Sequence, residues 1–99
     1  MKSSLLNARA ATESALAALA AYYPLGIRNV LLEEIEASAD GAEWLVTLGF
    51  DLTRQREPRA IEKLLPAFQD LAEVERIYKT FHVDAATGEV TAMKIRQLA

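Results

Sequence analysis

The fold is decided by the stretch Val74-Glu-Arg-Ile-Tyr-Lys-Thr-Phe-His-Val-Asp84, Ala85-Ala-Thr-Gly88, Glu89-Val-Thr-Ala-Met-Lys-Ile-Arg-Gln97. Two runs rich in β-branched and aromatic residues flank a short loop that ends in glycine, a pattern that predicts a β-hairpin. Asp84 can hydrogen-bond the backbone two residues further on, and Gly88 can take φ > 0 and close the turn with a bulge. The remaining chain is expected to cover or extend this hairpin.

The simplest hairpin register places Asp84 opposite Glu89, Val83 opposite Val90, Phe81 opposite Ala92 and Lys79 opposite Lys94. Like charges directly opposite are unfavourable, so either a bulge shifts the register or both lysines reach outward to acids. Both faces then carry apolar residues: Ile77, Phe81 and Val83 on one, and Tyr78, Met93 and Ile95 on the other. Because one helix cannot cover two faces, the second face is expected to meet the 59–72 connector, a second copy or a different protein.

Upstream, an alanine-rich helix is predicted from Leu5 to Tyr23, capped by Ser3 or Ser4 and ending before Pro24. It can pack on the sheet or on another helix, and we favour the sheet. Its predicted packed side carries Leu5, Ala8, Thr12, Ala15, Leu16, Leu19 and Tyr23.

Two strands follow the helix. Ile27–Ala37 is the first, although good helix formers make a helix an alternative, and an Asp-Gly turn ends it. The second strand alternates strictly, with Trp44, Val46, Leu48, Phe50 and Leu52 on the core face. Gly49 on the opposite face predicts a bend or a close approach.

Between this strand and the hairpin, a short helix is predicted at Arg59–Leu65, with Pro58 at its start and Pro66 interrupting it. The resulting order, α-β-β-(α)-β-β, predicts an α+β two-layer sandwich in which one long helix packs on a four-stranded, mainly antiparallel sheet. We expect residues 1–99 to form a single domain.

Composition excludes several classes of function. The chain is 52% hydrophobic and 25% charged, which argues against disorder, and its net charge of −3 makes nucleic acid and anionic membranes unlikely partners. It has no cysteine, which suits a reducing compartment and excludes thiolate metal sites. Arg9 and Glu13 interrupt the signal-peptide-like start, so we expect a cytoplasmic protein without a transmembrane segment.

Two resemblances follow. The phrase Tyr78-Lys-Thr-Phe-His-Val-Asp-Ala-Ala-Thr-Gly-Glu-Val90 resembles the closing hairpin of PepSY-type domains, small modules thought to inhibit or bind other proteins. The element order looks like the cystatin-like arrangement of a helix wrapped by an antiparallel sheet. These likenesses imply a noncatalytic binding module, and they transfer no functional residue. The protease-blocking glutamine-valine-glycine loop of cystatins is absent, and PepSY-type domains are usually exported.

No catalytic pattern is present. His82 is the one histidine and has no nitrogen or sulfur co-ligands in the sequence, and no nucleophile elbow accompanies it. The acidic residues around the first hairpin are expected to be a solvated edge, and the basic cluster is expected to pair with nearby acids. The candidate binding residues are therefore Glu34, Glu36, Arg54, Arg56, Arg59, Tyr78 and His82.

The sequence favours a small noncatalytic protein-binding module of the inhibitor, immunity or adaptor type. It would act through a sheet face or edge, without cofactor or metal, on another protein or in a homodimer. The alternative is a small-ligand-binding or enzymatic domain with a pocket between helix and sheet. A third possibility, nucleic-acid binding through Arg54–Arg59, would require strongly salt-dependent affinity.

Overall fold

The structure, a computed structural model, describes residues 5–55, 64 and 72–97, without the side chains of residues 54, 55 and 72. Its elements are α1 (Ala8–Tyr22), β1 (Ile27–Ala37), β2 (Glu43–Gln55), β3 (Ala72–Asp84) and β4 (Val90–Ile95). The four strands form one antiparallel sheet in the order β1-β2-β3-β4. The predicted α+β two-layer arrangement is confirmed. The predicted helix at 59–65 lies outside the described residues, apart from Leu64.

Helix α1 starts later than the sequence predicted. Its N-cap is Asn7, not Ser3 or Ser4: the Asn7 side chain accepts a hydrogen bond of 2.8 Å from the Ala10 N–H. The preceding backbone is held elsewhere, because the Leu6 N–H donates to the Ala85 carbonyl at 2.7 Å. The helix ends at Tyr22, so the predicted stop before Pro24 is confirmed.

The core lies between α1 and the middle of β2 and β3. The strict alternation of β2 is confirmed, since Val46, Leu48 and Phe50 are fully buried while Trp44 and Leu52 are half-buried at the two ends. The ring of Tyr23 packs on Phe50 with centroids 5.3 Å apart. From α1, the buried residues are Ala11, Ala15 and Leu19.

The narrow helix leaves both flanks of the sheet uncovered. An α-helix with its side chains is about 10–12 Å across, and four strands spaced about 4.8 Å apart form a wider layer. Leu16, predicted on the packed side of α1, is therefore 41% exposed, and Leu32 in β1 is 48% exposed. Among the described residues, no helix is long and apolar enough to cross a bilayer.

The turn between β3 and β4 is built as the sequence predicted. Asp84 Oδ1 accepts hydrogen bonds from the N–H groups of Ala86 at 2.8 Å and Thr87 at 2.9 Å. Gly88 has φ +80°, and its N–H donates to the Asp84 carbonyl at 2.8 Å. The pairing of Val83 with Val90 is also confirmed.

Beyond Val83 the predicted register is wrong. A bulge lies between His82 and Val83, so that Thr91 is an extra residue and His82, not Phe81, pairs with Ala92. Lys94 consequently lies opposite Thr80, and Lys79 lies opposite Ile95, which removes the unfavourable lysine pair. Because Met93 pairs with Phe81, Met93 and Ile95 belong to the helix-facing side of the sheet. The predicted second apolar face does not form from these residues.

This packing predicts different outcomes for the same substitution at two leucines. Leu48→Ala should lower the free energy of unfolding by about 2–5 kcal/mol, because Leu48 is fully buried under α1 and the change leaves a cavity. Leu25→Ala should change it by less than about 0.5 kcal/mol, because Leu25 is 86% exposed. Urea unfolding followed by circular dichroism measures both, and equal losses would contradict this core.

Candidate functional site

The face of the sheet opposite α1, here called the outer face, is organised around Arg76 of β3. Its guanidinium donates to the Asn29 carbonyl at 2.7 Å and lies 3.2 Å from Asp51 Oδ1 and 3.4 Å from Glu33 Oε1. Asn29 has φ +53°, a left-handed conformation that its polar side chain makes tolerable, and its Nδ2 donates to Asp51 Oδ2 at 2.7 Å. Arg76 therefore ties β3 to β2 and to the irregular start of β1.

Gly49 of β2 makes room for this arrangement. A Cβ at this position would lie 2.9 Å from Tyr78 Cε1 and 3.0 Å from both Arg76 Nη2 and Glu33 Oε1. The predicted close approach at Gly49 is confirmed, and the groups that approach its Cα are side chains. The Arg76 guanidinium lies 5.7 Å from the centre of the Tyr78 ring, a cation–π distance. Only a residue without a side chain lets these three groups converge over β2.

Two further contacts cross the outer face. Arg96, just after β4, reaches Glu34 of β1 at 3.1 Å, so this ion pair links the two edge strands above β2 and β3. Below it the hydroxyls of Thr47 and Thr80 lie 2.8 Å apart, and Thr47 is only 1% exposed. Polar side chains thus occupy much of the outer face, where the sequence predicted an apolar surface, and Leu31, opposite Gly49, is 58% exposed beside them.

His82 sits in a third polar group on this face. Its Nδ1 lies 3.4 Å from Glu43 Oε1, while the Thr91 hydroxyl donates to Glu43 Oε2 at 3.2 Å. A nucleophilic triad needs the hydroxyl to donate to the imidazole, and here it donates to the carboxylate. The geometry is therefore that of a structural cross-strand cluster spanning β2, β3 and β4.

The predicted site residues do not form one site. Glu34, Tyr78 and His82 lie on the outer face in separate contacts, and Glu36 is exposed on β1 opposite Leu45. Arg54 pairs with Glu73 in the strand register, whereas Arg56 and Arg59 lie outside the described residues.

The predicted acidic cluster is also divided. Glu33, Glu34 and Glu43 each contact a different cationic or imidazole side chain, and Asp40 turns back into its own loop. Across the described part of the chain, no three metal-binding side chains come together.

Three aspartates have pKa values below their ordinary range. The hydrogen bond from Asn29, followed by that from Arg76, lowers the pKa of Asp51. The Thr87 and Ala86 N–H groups lower the pKa of Asp84, and the Ala42 N–H and the Ser38 hydroxyl lower that of Asp40. Each carboxylate stabilises the fold above its unfolded pKa of about 3.9, and this contribution is lost as the pH falls through the lower folded value.

The surface that sequence reasoning missed is a groove along the free edge of β4. It encloses about 200 Å³ and is lined by Tyr22 of α1 and by Val90, Thr91, Ala92 and Met93. Tyr22 is 67% exposed and Ile95 is 75% exposed, so apolar surface remains in contact with solvent on this flank. The sequence did not predict this groove because the predicted register lacked the bulge at Thr91, which places Met93 on the helix side of the sheet.

Comparisons with protein-family models, with curated proteins and with solved structures found no match to this chain. The resemblance to PepSY-type and cystatin-like domains therefore stays a prediction.

The Arg76 network predicts a selective change in one carboxyl group. In Asn29→Gly, the pKa of Asp51 should rise toward its ordinary value, because the largest cause of its lowering is removed while glycine still accepts the positive φ. The pKa of Asp84 should stay low, since turn N–H groups hold it. Carboxyl titration by NMR measures both groups in one sample. An unchanged Asp51 would contradict the contact.

Proposed function

We propose that this chain is a small noncatalytic protein-binding module that acts through the free edge of β4. Inhibitor, immunity-type and adaptor roles all fit such a module. The observation that supports the proposal is an edge strand with outward-facing backbone groups beside a shallow groove that Tyr22 and Met93 help to line. Strand addition to an exposed sheet edge is a recurring mode of peptide recognition, in which main-chain hydrogen bonds and alternate side chains both contribute.

The backbone of β4 has the required orientation. The Arg96 N–H donates to the Tyr78 carbonyl of β3 at 2.9 Å. Backbone groups of successive strand residues point to opposite sides, so Lys94 and Ala92 face β3, whereas Met93 and Ile95 face away from it. In the described part of the chain, no strand pairs with this outward side.

The groove supplies surface for the partner's side chains. Every second side chain of an added strand would point toward α1, where Tyr22, Val90 and Met93 line the groove. Burying the exposed parts of Tyr22 and Ile95 would remove apolar surface from water and so favour association.

The other edge of the sheet is less suited to strand addition. The register of β1 breaks twice, between Arg28 and Leu31 and between Leu32 and Glu34. Bulges and charged side chains on an edge strand disfavour further pairing. Strand β4 has one bulge and one such charge, at Lys94, whereas β1 has two register breaks and carries Glu33 and Glu36.

The enzymatic or small-ligand alternative has weaker support. Pockets for small ligands commonly measure about 300–1,000 Å³ and contain a few convergent polar side chains. The groove beside β4 is smaller, at about 200 Å³, and among the described residues no charged side chain lines it. We also propose a cytoplasmic location, which the lack of cysteine in the sequence suits.

This proposal predicts that Ile95→Pro abolishes partner binding. The Ile95 N–H faces away from β3 and the side chain is 75% exposed, so proline removes a donor that an added strand would need and that no described strand uses. Ile95→Thr is the matched control, because it shortens the side chain and keeps the N–H. Both tagged variants and the wild type are purified from the native cell, and bound proteins are quantified by mass spectrometry.

We expect a partner to remain with the wild type and Ile95→Thr, and to fall at least about tenfold in Ile95→Pro at unchanged circular dichroism. If the edge instead joins two copies, the wild type sediments as a dimer and Ile95→Pro as a monomer, which also supports the proposal. A partner or dimer that Ile95→Pro retains in full would overturn it.

A further inference from the structure

We infer that the segment bound at β4 is an extended, acidic strand of another protein, with a carboxylate side chain opposite Lys94. This inference rests on the proposed function and adds the chemistry of the partner. The observation behind it is the charge of the edge itself, which is positive in a chain whose net charge is −3.

The residues of β4 include no acid, and its cation has no acidic partner among the described residues. Lys94 is exposed on the outer face and makes no ion pair with any described residue. Glu43, the carboxylate that contacts β4, is already bound to Thr91 and His82. Glu89 precedes the strand by one residue, and the distance of five residues to Lys94 corresponds to about 17 Å in an extended chain. A carboxylate on an added strand would therefore meet an unpaired ammonium group.

Pairing of two β4 strands fits this charge poorly. Because the backbone groups of Met93 and Ile95 face outward, a twofold axis can pass through Ala92, Met93 or Lys94. An axis at Lys94 or Met93 places the two Lys94 ammonium groups directly opposite or on the diagonal, where like charges repel. An axis at Ala92 brings the Thr91 bulge of both copies into the centre of the pairing.

The acidic edge of a second copy is also a poor partner. Strand β1 carries the needed carboxylates, but its two register breaks interrupt the regular backbone that strand addition requires. Its Glu34 is also bound to Arg96 of the same chain, and Glu33 to Arg76. An acidic strand from a different protein satisfies the backbone and the charge together.

The register specifies the partner's pattern. In an antiparallel strand, the residues opposite Ile95 and Met93 would point toward the helix side and the groove, and those opposite Lys94 and Ala92 toward the outer face. The expected pattern opposite Ile95 to Ala92 is thus apolar–acidic–apolar–polar, with the acid opposite Lys94.

The test uses two peptides that differ in one residue: acetyl-Ser-Thr-Val-Glu-Val-Thr-Val-Thr-Ser-amide and the same peptide with Lys in place of Glu. Each is titrated into the full ¹⁵N-labelled chain while the amide signals of Met93 and Ile95 are followed by NMR. The glutamate peptide should bind about threefold to tenfold more tightly than the lysine peptide, since opposite and like cross-strand charges differ by this much.

Charge reversal gives the decisive comparison. In Lys94→Glu the preference should invert, so that the lysine peptide binds more tightly. Arg28→Glu is the matched control, because Arg28 is an exposed cation on the opposite edge strand, and it should leave the preference unchanged.

The outcomes separate this inference from the proposed function. Equal affinities for the two peptides, or a preference that Lys94→Glu does not invert, would overturn the acidic partner. In that case, if Ile95→Pro no longer binds either peptide, the proposal that β4 binds an added strand still stands. A wild-type dimer that Ile95→Pro dissociates would replace the acidic partner with a second copy. If neither peptide shifts the Met93 and Ile95 signals at millimolar concentration, the inference is wrong.

Discussion

The pairing of β2 with β3 is the constraint on which the rest of the structure depends. All 13 residues of β2 pair in unbroken register with the 13 residues of β3, from Glu43 opposite Asp84 to Gln55 opposite Ala72. Because side chains alternate, this ladder alone decides that Leu48 faces α1 and Thr47 faces away. A slip of one residue would exchange the two faces, so the buried side fixes the register strongly.

The edge strands pair on one side only, and all the irregularity of the sheet lies there. Side chains hold the first break in β1, since Arg76 donates to the backbone carbonyl of the left-handed Asn29 and the Asn29 side-chain amide donates to Asp51. The single bulge in β4 has a different effect: it rotates the following residues, so that Met93 joins the helix side and Lys94 the outer face. One edge is thereby blunted, and the other stays regular beyond Thr91.

Much of the fold could be predicted from signals that span only a few residues. The bounds of β1, the alternation of β2 and the Asp84–Gly88 turn follow from strand periodicity and turn chemistry, which act over a few residues. The opposed lysines indicated a bulge as one alternative, and the structure has one, but its position at Thr91 has no local signal because no glycine marks it. The contacts of Tyr78 and Glu34 were likewise unpredictable, since they depend on side chains from three or four strands meeting across a register that the sequence left open.

The outer face and the β4 edge differ in what it would cost a partner to bind there. On the outer face Arg76 is paired with Glu33 and Asp51, and Arg96 is paired with Glu34. A protein docking there would have to break these ion pairs or bury them at a desolvation penalty. At the edge, water already bonds the outward N–H groups, and exchanging water for a strand yields a modest net gain for each hydrogen bond. Affinity at β4 must therefore come from burying Tyr22, Met93 and Ile95, while the charge of Lys94 selects which strand is accepted.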